Sequence, residues 1–341
     1  MAQSTMKSAM TAVKMKVEYR VFWKGEERLA DIHTSTVVNA SAAVSTLSRQ
    51  KKLKKHLIAY AFLVPIFVSM GLFKYYPFVT AILKSFYQWN GANINKFIGF
   101  DNFTKLLSDP TFYASLKNVT ILTASFIVIE LTLPLFAAIG VFHAHKKAQQ
   151  WYRVLFLVPL VVPYIIIFLL WRWIYMGTGV LNTFLRAVGL ESWTHAWLGE
   201  SATALWSVIF VNFPWIGGIY FLIYLAGLVT IPQELFEVGR LDGMTGWQRF
   251  RHIELPLIKN QVRLVVILAF IHQYQSFENI LVLTNGGPGF STLTPALYLY
   301  KKGFEYNELG YASAIGVVIF VILVLFTLAA NKLIRPAEKT E

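Results

Sequence analysis

The stretch "EVGRLDGMTGWQRFRHIELP", residues 237–256, is charged and punctuated by glycine, and it lies between two long apolar runs. Its pattern reads as two short helices around a turn. Thr230 followed by Gln233 has capping-box spacing, and Pro232 is tolerated in a first turn, so a helix is predicted from there through Glu237 to Leu241. Asp242 and Gly243 end it, because glycine takes the left-handed conformation that terminates helices. Thr245 and Gln248 repeat the spacing, and Trp247, Phe250 and Ile253 share one face of a second helix that Pro256 closes. The segment 230–260 is thus predicted to be a helical knob with an apolar stripe.

Outward from the knob the chain is mostly oil. Hydrophobic residues make up 56% of the 341 residues and charged residues 14%, with a mean hydropathy of +0.52, which lies outside the soluble range. A bilayer span needs about 20 largely apolar residues. Six such stretches stand out: about 57–83, 118–142, 154–176, a run inside 201–233, 264–283 and 309–331. The apolar stretch nearest the N-terminus starts too late, and is too long, for a cleavable signal peptide. The fold class is therefore all-α, a polytopic membrane protein with six transmembrane helices and a helix-turn-helix loop. The predicted divisions are a tail at 1–56, a spanning domain at 57–334 containing the 230–260 loop, and a tail at 335–341. The first tail, mixed in charge, reads as partly disordered or surface-lying.

The excess of 31 Lys and Arg over 18 Asp and Glu would suggest nucleic acid in a soluble chain; in a membrane chain it reports orientation. Basic clusters precede the first span (Arg49 to Lys55), follow the second (Lys146, Lys147, Arg153), occupy the knob (Arg240, Arg249, Arg251, Lys259, Arg263) and follow the sixth (Lys332, Arg335, Lys339). With six spans all four lie on one face, while Asp101, Asp109, Glu191, Glu200, Glu305 and Glu308 lie on the other. Both termini and the knob are therefore predicted to be cytoplasmic, and nucleic acid is not an expected partner. There is no cysteine, and His143 and His145 are spaced off a common helix face, so no metal site is expected.

By itself a basic knob beside a membrane also fits an amphipathic hairpin lying on lipid headgroups. The order of residues decides between the two readings. Glu237, Asp242-Gly243, Ile253 and Leu255-Pro256 resemble the "EAA" signature of binding-protein-dependent ABC transporter permeases, Glu-Ala-Ala, then Asp-Gly, then Ile-x-Leu-Pro. Val238, Gly239 and Met244 depart from its alanines. "GFDNFTKLLSDPTFYASLKNV", "WRWIY", "LAGLVTIPQELFEVGRLDG", "VLTNGGPG" and "YKKGFEYNELGYASA" extend the resemblance from about residue 57 to the end. They are similar to the larger permease of the maltose-transporter type, a carbohydrate uptake system.

The resemblance implies a bacterial inner-membrane permease subunit. Its partners would be a second homologous permease, a cytoplasmic ATPase dimer and an extracytoplasmic substrate-binding protein. The knob would be the coupling element, with Glu237 and Asp242 at the ATPase surface and Gly243, Ile253, Leu255 and Pro256 fixing its shape. The binding protein would dock on residues around 85–117 and 177–203. The chain has no G-x-x-x-x-G-K-[ST] loop, so ATP and Mg would be used by the partner ATPase; the subunit is non-catalytic and carries no cofactor of its own.

Polar residues inside spans are costly and tend to face a cavity or a partner. Asn212, Trp215 and Tyr220 in the fourth span, and Gln273, Tyr274, Gln275, Glu278 and Asn279 in the fifth, are the candidate substrate pathway. Aromatic rings beside amides and acids suit a sugar, whose apolar C–H faces carry a polar rim. Each could equally serve interfacial anchoring or helix packing. Glu130 and Arg172 read as snorkelling, pairing or structural groups. The alternative from another class is an ion-coupled secondary transporter of small polar solutes, which would need an internal repeat that the sequence does not display.

Overall fold

The computed structural model describes residues 60–333 apart from 212, 216 and 217. Both predicted tails, 1–56 and 335–341, and the pathway candidate Asn212 lie outside the described residues. The chain divides into two compact units, Met1–Pro77 and Phe78–Glu341. The described part of the first belongs to an apolar helix, Tyr60–Lys84 (α1), which carries a π turn at Gly71–Tyr75 and runs on past the boundary.

The described residues of the second unit are helical apart from loops and a small antiparallel hairpin, Tyr87–Trp89 (β1) with Asn95–Phe97 (β2), in the register Tyr87 to Phe97. A short helix, Asp101–Leu107 (α2), leads to the long helix Pro110–His143 (α3). The start of α3 is fixed chemically: Pro110 needs no amide partner there, and the Asp109 carboxylate accepts the Thr111 and Phe112 amides. Its 34 residues rise about 50 Å, more than a hydrocarbon core of about 30 Å, so its ends project beyond a bilayer.

The remaining helices are Lys146–Val161 (α4), Tyr164–Ile174 (α5), Val180–Ala187 (α6), Ala204–Phe210 (α7), Ile219–Val229 (α8), Gln233–Leu241 (α9) and Gly246–Leu257 (α10). They are followed by Lys259–Tyr274 (α11), Glu278–Leu283 (α12), Pro295–Tyr300 (α13) and Leu309–Leu333 (α14). Among the described residues α1, α3 and α14 are each long and apolar enough to cross a membrane; counting each of three bent pairs, α4 with α5, α8 with α9 and α10 with α11, as one span brings the number up to six.

The bends are where the structure departs from the sequence reading. The third span, expected as one run over 154–176, is bent by 85° between α4 and α5. Val162 precedes Pro163, whose ring excludes the helical region for its neighbour, and Val162 is accordingly extended at φ −80°, ψ 125°. The fourth is interrupted between Phe210 and Ile219, and the fifth stops at Tyr274 and restarts at Glu278. The bends of 72° and 71° turn α9 and α10 away from α8 and α11, which is how the knob leaves the bundle.

Among the described residues two apolar cores lie along α3. The first gathers Phe112, Val119 and Leu122 of α3 with Leu205 and Val208 of α7, Ile280 of α12, Leu297 of α13 and Ile315 of α14. The second joins Leu135, Ala138 and Val141 of α3 to Phe221, Tyr224 and Leu228 of α8 and to Phe236, Ile253 and Ile258 of the knob region. The long helix is thus the shared wall of both. At the far end from the knob, Asp109 accepts the hydroxyls of Tyr298 and Tyr311 at 2.5 and 2.7 Å, tying α13 and α14 to the start of α3. Burial pushes the Asp109 carboxyl up, but those two hydroxyls and the Thr111 and Phe112 amides together hold it below its ordinary value.

Candidate functional site

The knob is built much as its sequence implies, with two corrections. Gly243 sits at φ +70°, and behind it Gly243 N–H donates to Arg240 O (3.1 Å) and Met244 N–H to Gly239 O (2.9 Å). This paired closure is the Schellman end of α9, which an L-residue at Gly243 would strain. At the start of α10 the Thr245–Gln248 capping box forms in both directions, at 2.7 and 3.3 Å. The predicted box at Thr230 does not form. The Thr230 hydroxyl instead donates back to Gly227 O at 2.7 Å, and α9 starts after Pro232 with no side-chain cap.

The second correction concerns Pro256, which does not end the helix. The run continues to Leu257 because Phe250–Glu254 winds as a π turn, with Leu255 N–H donating to Phe250 O. Proline lacks the amide that a regular helix would use, and a wider turn just before it accommodates the missing bond. The chain then breaks at Ile258 (φ −93°, ψ 14°).

The two arms touch closely at Gly239, where an added Cβ would stand 3.2 Å from both Ile253 Cδ1 and Met244 Sδ. The departures from the alanine pattern therefore compensate: Gly239 removes a methyl and the Met244 thioether fills the space. The knob's base is buried, with Phe236, Ile253 and Ile258 covered and Glu254 wholly so. Its rim is apolar and open. Leu241 is 88% exposed, and Trp247 and Val238 are exposed with it. Glu237, Asp242 and Gly243 are exposed beside them, Leu255 is half-buried and Pro256 is exposed. The predicted stripe is thus graded: Ile253 is buried, Phe250 is half-buried and Trp247 is exposed with its ring 5.2 Å from that of Phe250.

Sequence reasoning missed Leu241, the Gly239–Met244 fit and Glu254. For Glu254 a signal existed, since it falls four residues after Phe250 on the inward face of the helix. Its Oε1 accepts Arg249 Nε at 2.9 Å and lies 2.7 Å from Nε2 of His143, the last residue of α3.

The described pathway candidates are not one constellation. Trp215, at φ +55° in the interruption of the fourth span, donates its indole N–H to Ile209 O (3.0 Å) and Val211 O (3.1 Å). It thereby satisfies carbonyls freed where α7 stops, and it packs on the first core together with Tyr274. Tyr220, near the start of α8, packs instead on the second core. Gln273 and Tyr274 are buried at 8% and 5% exposure, and the Tyr274 ring stacks on Phe270. Asn279 is occupied locally: its Oδ1 accepts the Ser276 hydroxyl and the Ile280 amide. Only Gln275 and Glu278, flanking the break in the fifth span, are exposed. Arg172 donates to Val282 O at 3.4 Å, linking α5 to α12, and Glu130 of α3 is half-buried, its backbone carbonyl accepting the hydroxyl of Tyr224 in α8 at 3.3 Å.

At the other end, the stretches around 85–117 and 177–203 form the hairpin with α2, and α6 with the loop after it. Asn102 ties the first together by donating to Ser85 O and Tyr87 O, and Asn182 the second by donating to His195 O and accepting Trp197 Nε1–H.

Residues 130–339 match the family model described as "Binding-protein-dependent transport system inner membrane component". The chain is 35% identical over 286 residues to the probable ABC transporter permease protein YurN of Bacillus subtilis, covering 83% of this chain and 98% of that one. It is 33% identical to the diacetylchitobiose uptake system permease protein NgcF of Streptomyces coelicolor, covering 82% and 83% of the two chains. Among solved structures, a chain of a bacterial alginate ABC transporter, in complex with an alginate pentasaccharide-bound periplasmic protein, superposes with a TM-score of 0.74 at 25% identity, over 85% of this chain and 98% of that one. A bundle of apolar helices with a projecting, signature-bearing knob, matched over most of its length, belongs to the binding-protein-dependent ABC transporter permeases, as a membrane component of such a system.

Proposed function

We propose that this chain is one of two permease subunits in a bacterial ABC importer, that its knob is the coupling element received by a cytoplasmic ATPase dimer, and that the solute is a sugar or oligosaccharide delivered by an extracytoplasmic binding protein. The observation that carries the coupling role is the division of the knob into a buried base and an open apolar rim centred on Leu241. Leu241, with Val238 and Trp247 also exposed on the knob, offers the apolar surface that a partner would cover. ATP and Mg belong to the ATPase subunits, and movement reaches this chain through the rim, with Glu237 and Asp242 flanking the contact. The carbohydrate assignment is supported by the diacetylchitobiose and alginate systems among its relatives. Within the bundle, Gln275 and Glu278 are assigned to the pathway, with Trp215, the buried Gln273 and Tyr274, and Asn279 holding the break beside it in shape and Tyr220 packing on the second core. The basic ends, including both termini, face the cytoplasm. The ion-coupled alternative gains no support from the family match.

The test is co-purification of the detergent-solubilised complex from its host with wild type, Leu241→Glu and Asp242→Lys. Losing a central apolar anchor from an interface costs about 2 kcal/mol or more, roughly a thirtyfold loss of affinity. Wild type should bring down the second permease and the ATPase in stoichiometric amount, and Leu241→Glu should retain the permease and release the ATPase. Full ATPase recovery with both variants would sink the coupling role.

A further inference from the structure

Glu254 occupies the position "x" of the Ile-x-Leu-Pro pattern, to which the family signature assigns no residue type. Here that position holds a carboxylate with no solvent exposure. Oε1 is shared by Arg249 Nε and His143 Nε2, and Oε2 is buried with no hydrogen-bond partner among the described residues. Burying a carboxylate is expensive, and an apolar side chain of similar volume would stabilise the knob at least as well. What the shared oxygen adds is position. His143 ends α3, 111 residues away in the chain, so this contact fixes the height of the knob along the helix that walls both cores.

The surrounding contacts have the opposite character. Phe142 packs its ring 5.6 Å from that of Phe236 in α9, His143 meets Phe236 edge-on at 5.9 Å, and Phe136 lies 5.6 Å from Phe250 in α10. Both arms of the knob therefore grip the end of α3, but through rings whose contacts tolerate sliding. A charge-assisted bond is directional and does not.

We propose that Glu254 is a positioning residue: with His143 and Arg249 it forms a strut that makes the knob and the adjoining end of α3 move as one body, so that displacement imposed on the knob is delivered along the long helix. The inference rests on the coupling role proposed above. Glu254 does not touch the ATPase, since it lies in the base and not the rim.

The test needs no knowledge of the transported solute. Thr132 of α3 and Arg251 of α10 are exposed, and the chain has no cysteine, so Thr132→Cys with Arg251→Cys takes one nitroxide pair. Distances are measured by electron spin resonance in the assembled transporter, without nucleotide and with ATP trapped by vanadate. With the native strut the distance should hold within about 1 Å between states; with Glu254→Leu it should change by about 2 Å or more, the scale of helix shifts at moving interfaces. Glu254→Gln, which keeps the shape and a hydrogen bond, should fall between and serves as the reading if the leucine variant does not assemble. Adding His143→Leu to Glu254→Leu should change nothing further. Equal behaviour of the native and Glu254→Leu distances overturns the strut, as does a native distance that itself shifts. If Leu241→Glu releases the ATPase while the strut test fails, the strut alone falls; if Leu241→Glu and Asp242→Lys both retain the ATPase, the coupling role falls first.

Discussion

Two glycines show how differently the same residue type is used. At Gly310 in α14 an added Cβ would stand 2.0 Å from Tyr87 O and 3.0 Å from Trp89 N, both backbone atoms of β1 that cannot yield separately. At Gly239 the obstructing atoms are the tips of Ile253 and Met244 at 3.2 Å, which can turn aside. Gly310→Ala should therefore cost about 1–3 kcal/mol through overpacking, seen as a lowered thermal midpoint of the detergent-solubilised chain. Gly239→Ala should lie within about 1 kcal/mol of wild type, because the better helix former offsets the squeeze, and adding Met244→Ala should relieve it. If Gly239→Ala were the more damaging of the two, the packing of the knob's arms would be misread. Neither difference was legible in the sequence. Tyr87 and Gly310 are far apart in the chain, and Gly239 reads only as a departure until Met244 is seen filling its space.

The elements teach a similar lesson about competition. Thr230 and Thr245 carry the same capping-box spacing, yet only Thr245 caps, because Pro232 sets the entry to α9 and leaves the Thr230 hydroxyl to bond back to Gly227 O. Spacing identifies the candidates; the neighbouring residues choose between them. Pro256 likewise reads as a stop, and becomes part of a helix through a π turn that no apolar periodicity announces. The breaks in the fourth and fifth spans escaped a hydropathy reading for a related reason: the average over a window is the same whether the run is straight or interrupted. That is why the pathway candidates, chosen by polarity, divide between exposed positions at a break and buried ones beside it. Since the Thr245 box satisfies amides that α10 otherwise leaves open, Thr245→Ala should cost about 0.5–2 kcal/mol locally. Hydrogen exchange should quicken over 246–257 with little change in α3, and uniform exchange across both would show that the knob does not open separately.

At the scale of the molecule the sequence was most informative, because hydropathy and charge placement are sums over many residues and survive local error. Tyr311 of α14 meets Asp109 at the start of α3, so the end of α14 bearing Lys332 lies toward the knob end, with Lys146, Lys147 and the basic residues of α9 to α11. Glu308, bridged to Lys105 and Lys302 at 3.5 and 3.1 Å, and Glu200 beside His195 sit in the segments that join the other ends of the helices. Lys105 and Lys302 show that this end carries basic residues too; under the rule of positive cytoplasmic loops the proposed orientation rests on the clustering of Lys and Arg at the knob end. The absence of cysteine makes the orientation directly measurable, since any introduced thiol is the one label site. Met244→Cys lies at the knob's turn and Glu191→Cys after α6, both at exposed positions. In right-side-out spheroplasts a membrane-impermeant maleimide should label Glu191→Cys at once and Met244→Cys only after permeabilisation. The reverse pattern would place the knob outside the cell, where no ATP-driven subunit could grip it, and would end the coupling role regardless of how well the rim suits a partner.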